Sequence, residues 1–111
     1  MQLKFERGNI FEGHPAESSE ELFPFIRDCS CTKATIEHIV SYSHPTPKDN
    51  WYDQDTAEYC ILMRGEAVLK FKNEEDFIMK AGSYAIIPAH LEHRVDSVSQ
   101  DAIWLAFHLH H

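Results

Sequence analysis

Glu58, His90 and His93 are the residues of this 111-residue sequence whose types and surroundings suit chemistry. Glu58 opens the run Glu58-Tyr-Cys-Ile-Leu-Met-Arg-Gly65. The histidines close the run Gly82-Ser-Tyr-Ala-Ile-Ile-Pro88-Ala-His90-Leu-Glu-His93. A carboxylate and imidazoles brought together can hold a divalent metal or pass a proton. Without a metal they form a hydrogen-bonded polar pair in a small-molecule pocket. Both readings require Glu58 and His93 to meet across the inside of one folded unit.

The elements that would bring them together are strands. Thr32 to Ser43 has period two, is rich in Thr, Ile, Val and Tyr, and lacks glycine and proline. His44-Pro-Thr-Pro-Lys-Asp-Asn50 is a loop by composition. Glu58 to Arg64 reads as a strand, Gly65 as a turn, and Ala67 to Lys72 alternates cleanly. Phe77 to Met79, Tyr84 to Pro88, His93 to Ser97 and Ala102 to Leu109 follow, with turn signals between them. Short strands at this regular spacing predict an all-β sandwich or barrel. The last strand is apolar on both faces, so a second sheet or a subunit contact must cover it.

The N-terminal part is different. Leu3 and Phe5 suggest a short strand, and Gly13-His14-Pro15 a turn. Ser18-Ser-Glu-Glu21 reads as the start of a short helix or helical turn, with Leu22, Phe23 and Ile26 on one side and Pro24 in its first turn. The expected organisation is one domain, 1–111, with an extension over 1–31 and a barrel over 32–109.

Composition narrows the partners. The formal charge of -8 argues against nucleic acid and against an anionic membrane. No apolar run approaches the ~18–20 residues of a membrane span, and the first residues lack the apolar stretch of a signal peptide. Three cysteines make a disulfide framework unlike this chain, so the expected compartment is the reduced cytoplasm. Cys60 reads as a small core residue, and Cys29-x-Cys31 has no second pair nearby to make a metal site. There is no Gly-x-Ser-x-Gly elbow and no glycine-rich phosphate loop.

The two chemical segments together resemble the paired signatures of the cupin superfamily, in its small single-domain bacterial form. Glu58 and Gly65 match the tail of the first signature, and Gly82, Pro88 and His93 match the second. His90 takes the place of a signature glycine and Ser97 that of an asparagine. The resemblance covers roughly residues 33 to 108 and implies a double-stranded β-helix, or jelly-roll, barrel with a metal in its mouth. In that family two histidines and a glutamate of the first signature and the histidine of the second are the ligands. Here Glu58 and His93 match. The two first-signature histidines fall on Trp51 and Asp53, or on Tyr52 and Gln54, so that motif is degenerate. Strand parity favours Tyr52 and Gln54 inward, and a single bulge would bring in Asp53 instead.

The metal set the resemblance implies is therefore His93, Glu58, Gln54 or Asp53, and His90. Zinc, iron, nickel and manganese all suit it. An enzyme of this kind would perform metal-assisted isomerase, dioxygenase or lyase chemistry on a small polar metabolite, with His90 or Tyr52 as acid/base or substrate contact. The alternative is a non-catalytic small-molecule-binding or sensor protein that has lost its metal. His90 also has a plain reading, as a turn residue facing solvent. Trp51 and Tyr52 either stack on a ligand or anchor the preceding loop. His38 is expected on an outer face, and His14 and His44 in exposed loops. His108, His110 and His111 resemble a frayed end or a tag remnant and receive little functional weight. Small members of the family commonly dimerise through strands like the last one, with Trp104 and Phe107, so a homodimer is expected.

Overall fold

The computed structural model describes residues 4–13 and 32–110. They form eight strands: β1 (Glu6–Asn9), β2 (Lys33–Val40), β3 (Ala57–Arg64), β4 (Ala67–Phe71), β5 (Phe77–Met79), β6 (Ser83–Ile87), β7 (His93–Val98) and β8 (Ile103–His110). One antiparallel sheet has the order β1-β6-β3-β8-β2, and a second has the order β5-β4-β7. The fold is the expected all-β jelly roll. The predicted helix, Cys29, Cys31, His14 and His111 lie outside the described residues. Among those described, no helix is long and apolar enough to cross a membrane.

Period-two patterning decides which side chains enter the core. On β4, Ala67, Leu69 and Phe71 are buried while Val68 and Lys70 are half-buried. On β3 and β8 the inward pairs are Leu62 with Trp104 and Cys60 with Ala106. Cys60 also pairs with Ala85 of β6. Three small side chains thus lie abreast on the inner wall. Leu62 and Met79 are fully buried in the core, and Trp104 and Cys60 border the cavity together with Glu58 and His108.

Two boundaries differ from the sequence reading. β1 pairs with β6, Glu6 opposite Ile86, so the sheet takes in residues assigned to the extension. Phe5 just before it stacks on Phe71 with ring centroids 3.8 Å apart. The barrel therefore does not start at residue 32. At the other boundary, β2 stops at Val40 because Tyr42 and Ser43 adopt left-handed backbone (φ 47 and 63), which no strand can contain.

Gly65 holds the β3–β4 turn at φ +94, and a Cβ there would meet the Cα of Ala102 at 2.8 Å. No other residue suits both the conformation and the close approach. The turn fixes where β3 reverses, and hence the register that carries Glu58.

Candidate functional site

Glu58 stands second on β3 with its side chain inward. Its neighbours across the strand pairs are Ile87 on β6 and His108 on β8. β7 begins with His93, which exchanges backbone hydrogen bonds with Tyr52: the Tyr52 N–H donates to His93 O (2.7 Å) and the His93 N–H to Tyr52 O (3.1 Å). This isolated bridge sets the parity of the segment before β3. Tyr52 and Gln54 turn inward, and Asp53 turns out.

These side chains border a cavity of about 280 Å³ that also touches Cys60, Trp104 and His108. Of the residues the sequence singled out, the structure brings together His93, Glu58, Gln54 and Tyr52. Asp53 and His90 do not join them. The His90 ring pairs with Asp53 on the outer rim, Nδ1 to Oδ1 2.8 Å, with both side chains more than half exposed. His90 has φ +68, the left-handed backbone that explains the glycine expected there. His90 and Asp53 both border an outer pocket that Gln54, Glu37 and His108 also line.

His108, to which the sequence gives little functional weight, borders the cavity. It lies on β8 in phase with Trp104 and Ala106, and it is buried. Its Nε2 is ion-paired with Glu37 of β2. Its Nδ1 lies 3.3 Å from the Thr56 hydroxyl and 3.8 Å from Glu58 Oε1. The alternation of β8 carried the signal, but position at the end of the sequence outweighed it. His44, read as an exposed loop residue, is exposed and also borders the cavity. His38 pairs with Leu105 and faces outward, as expected. Trp51 is at the surface with Lys72 Nζ 5.9 Å from its ring centroid.

The electrostatics follow from burial. Desolvation pushes the Glu58 carboxyl above the usual carboxylate range, and the charges of His108 and then His93 oppose this. Gln54 donates a hydrogen bond to the same carboxylate. Burial, reinforced by the Glu58 charge, pushes the Cys60 thiol well above its ordinary range. Cys60 is therefore a neutral thiol and not a ligand.

Each buried histidine has one nitrogen committed. A carbonyl oxygen only accepts, so the contact of His93 Nδ1 with Leu91 O (2.9 Å) places the proton on Nδ1 and leaves the Nε2 lone pair free. The Glu37 carboxylate likewise accepts a hydrogen bond from His108 Nε2–H, which leaves Nδ1 as the lone pair of the neutral ring. Gln54 Oε1 is buried without a hydrogen-bond partner. Two imidazole lone pairs, a carboxylate and an orphaned amide oxygen form a donor set that fits a divalent ion. Among the described residues, no three His, Cys, Asp or Glu side chains already converge closely enough to hold one by themselves.

A family model described as the cupin domain matches residues 42–108. No curated protein is significantly similar in sequence. Among solved structures, a protein from Ralstonia eutropha JMP134, provisionally assigned as a mannose-6-phosphate isomerase, is similar with TM-score 0.67 and 26% identity, over 94% of this chain and 97% of that one.

Proposed function

This chain belongs to the cupin family, and from that premise we propose that its barrel binds one divalent metal and isomerises a small uncharged hydroxy-carbonyl compound. The observation that carries the reading is the donor set around the cavity: Glu58, the free Nε2 of His93 and the unpartnered Oε1 of Gln54. Those three residues would hold the ion. When bound, it would polarise a substrate carbonyl and stabilise negative charge on its oxygen.

The remaining chemistry belongs to the protein. Isomerisation of a hydroxy-carbonyl moves a proton between adjacent carbons. Glu58 is committed to the ion in this scheme, so the lining group left to take and return that proton is Tyr52. Tyr52 stands at the cavity mouth with its ring 5.7 Å from that of His93, placed to contact substrate by its hydroxyl. Trp104, Leu69 and Val95 line the apolar side and keep bulk water from the carboxyl.

The similarity to a protein assigned as a sugar-phosphate isomerase supports the reaction class. The lining argues for a different substrate charge. Among the described residues, no lysine or arginine borders the cavity and two glutamates do, so a phosphate would meet repulsion there.

One observation favours a second reading, a binding protein without turnover: among the described residues, no three His, Cys, Asp or Glu side chains converge on one point. Metal analysis of untagged protein and its His93→Ala variant, combined with exchange of substrate carbon-bound hydrogen in D₂O followed by NMR across a set of aldoses and ketoses, separates the two. Stoichiometric metal that disappears with His93→Ala, together with deuterium uptake, supports the isomerase. Metal without uptake of deuterium supports the binding protein, and no metal in the wild type rejects the proposal.

A homodimer and a reducing compartment belong to the same proposal. Cys60 is a free buried thiol. On the outer face of the large sheet, Ile36 of β2 is 67% exposed beside Phe107 of β8. An apolar surface on a long edge strand is suited to cover by a second copy.

A further inference from the structure

We infer that His108 is a ligand of the barrel metal, supplying from the last strand an imidazole that the degenerate first signature lacks, and that Glu37 is its positioning residue. This rests on the metal reading above and names two residues that neither signature contains.

The first argument is position. His108 and Glu58 are directly paired on β8 and β3, and both are buried on the inner side. Two donors about 2.1 Å from a tetrahedral zinc ion stand roughly 3.4 Å apart. The 3.8 Å between His108 Nδ1 and Glu58 Oε1 is within a few tenths of an ångström of that spacing.

The second argument is the state of the ring. Metal-binding histidines almost always donate their other N–H to a carboxylate or a backbone carbonyl, which fixes the tautomer and aims the lone pair. His93 does so to Leu91 O and His108 does so to Glu37. The two rings therefore carry the same preparation, one through each kind of acceptor. The Thr56 hydroxyl at 3.3 Å is at the long end of a hydrogen bond and can rotate away from Nδ1.

The third argument is charge. Glu37 and Glu58 border the cavity, and among the described residues no lysine or arginine lines it. A divalent ion neutralises what the barrel otherwise leaves to the imidazoles. A purely structural Glu37–His108 pair does not account for the unpartnered Gln54 Oε1.

Cobalt(II) titration of the metal-stripped, untagged protein tests this, read by calorimetry and by hyperfine-shifted proton NMR. The wild type is expected to bind one ion and to show two exchangeable imidazole N–H signals, from His93 Nδ1–H and His108 Nε2–H. His108→Gln should leave one signal and weaken binding by about tenfold or more. Glu37→Gln, on an exposed strand, should keep both rings bound, speed exchange of one N–H with water, and lower affinity by ~10–100-fold. If His108→Gln fails to fold, the Glu37→Gln result decides. Two unchanged signals and unchanged affinity in the His108 or Glu37 variant, with loss in His93→Gln, overturn the role of His108 and leave the metal reading standing. A wild type that binds no cobalt overturns both.

Discussion

Glu58 and His108 occupy opposed positions on adjacent strands, and their side chains reach within 3.8 Å of each other inside the barrel. A buried carboxyl beside an imidazole makes the stability of the metal-free protein depend on pH. Folding raises the Glu58 pKa, chiefly by burial. The native state then binds this proton more tightly than the unfolded chain does. Stability falls as pH climbs from the ordinary carboxylate range through the raised value, and below that range the cost is absent. Glu58→Gln removes the ionisation. In the presence of a chelator, its melting temperature should match the wild type near pH 4 and exceed it increasingly toward pH 8. Thermal unfolding across that range is the measurement, and a constant gap would show that the histidine charges cancel the burial cost.

Gln54 links the rim to the same carboxyl. Its amide donates to Glu58 while Oε1 has no partner. An unsatisfied buried acceptor costs about 1–3 kcal/mol. Gln54→Leu removes that cost together with one hydrogen bond, so metal-free stability should change by no more than about 1 kcal/mol. Metal affinity should nevertheless drop, because the amide oxygen is the third donor. Gln54→Glu should instead tighten binding by adding a charged oxygen. Calorimetric titration of both variants checks the opposite signs.

The outer pair behaves differently. His90 and Asp53 are solvent-exposed, and such pairs contribute about 0–1 kcal/mol. His90 also holds a left-handed backbone, which costs a non-glycine residue roughly 1–2 kcal/mol. His90→Gly relieves the second effect and loses the first. It should be neutral or slightly stabilising in thermal unfolding, and it should leave metal affinity unchanged. A large loss of affinity would return His90 to the site.

Much of this was legible in the sequence because β-structure has a two-residue period. The alternation of Ala67, Leu69 and Phe71 identified the inner face of β4, and parity alone put Tyr52 and Gln54 on the side of Glu58. Glycine and proline punctuation placed the turns at Gly65 and Gly82. Two things were not legible. A motif match counts residues along the chain, whereas His108 enters the site from fifty positions beyond Glu58 through strand pairing. And His90, three positions before His93, holds a left-handed backbone and pairs with Asp53 on the rim, which spacing does not reveal.

The outer face of the large sheet gives the last expectation. All eight residues of β2 are exposed, and it forms one edge of its sheet. Ile36 and Val40 project there on the same side as Phe107 and Ile103 of β8. An edge strand of this kind presents unpaired backbone groups and apolar side chains together, and it invites pairing with another chain. A dimer that covers it also orders β2 and so steadies Glu37 behind His108. Ile36→Lys places a charge in the centre of that face and should shift the protein toward monomer at micromolar concentration. Light scattering at two concentrations measures the shift, and calorimetry on the same samples should show weaker metal binding in the monomer. A variant that stays dimeric would place the contact elsewhere, and a monomer with full affinity would separate assembly from the site.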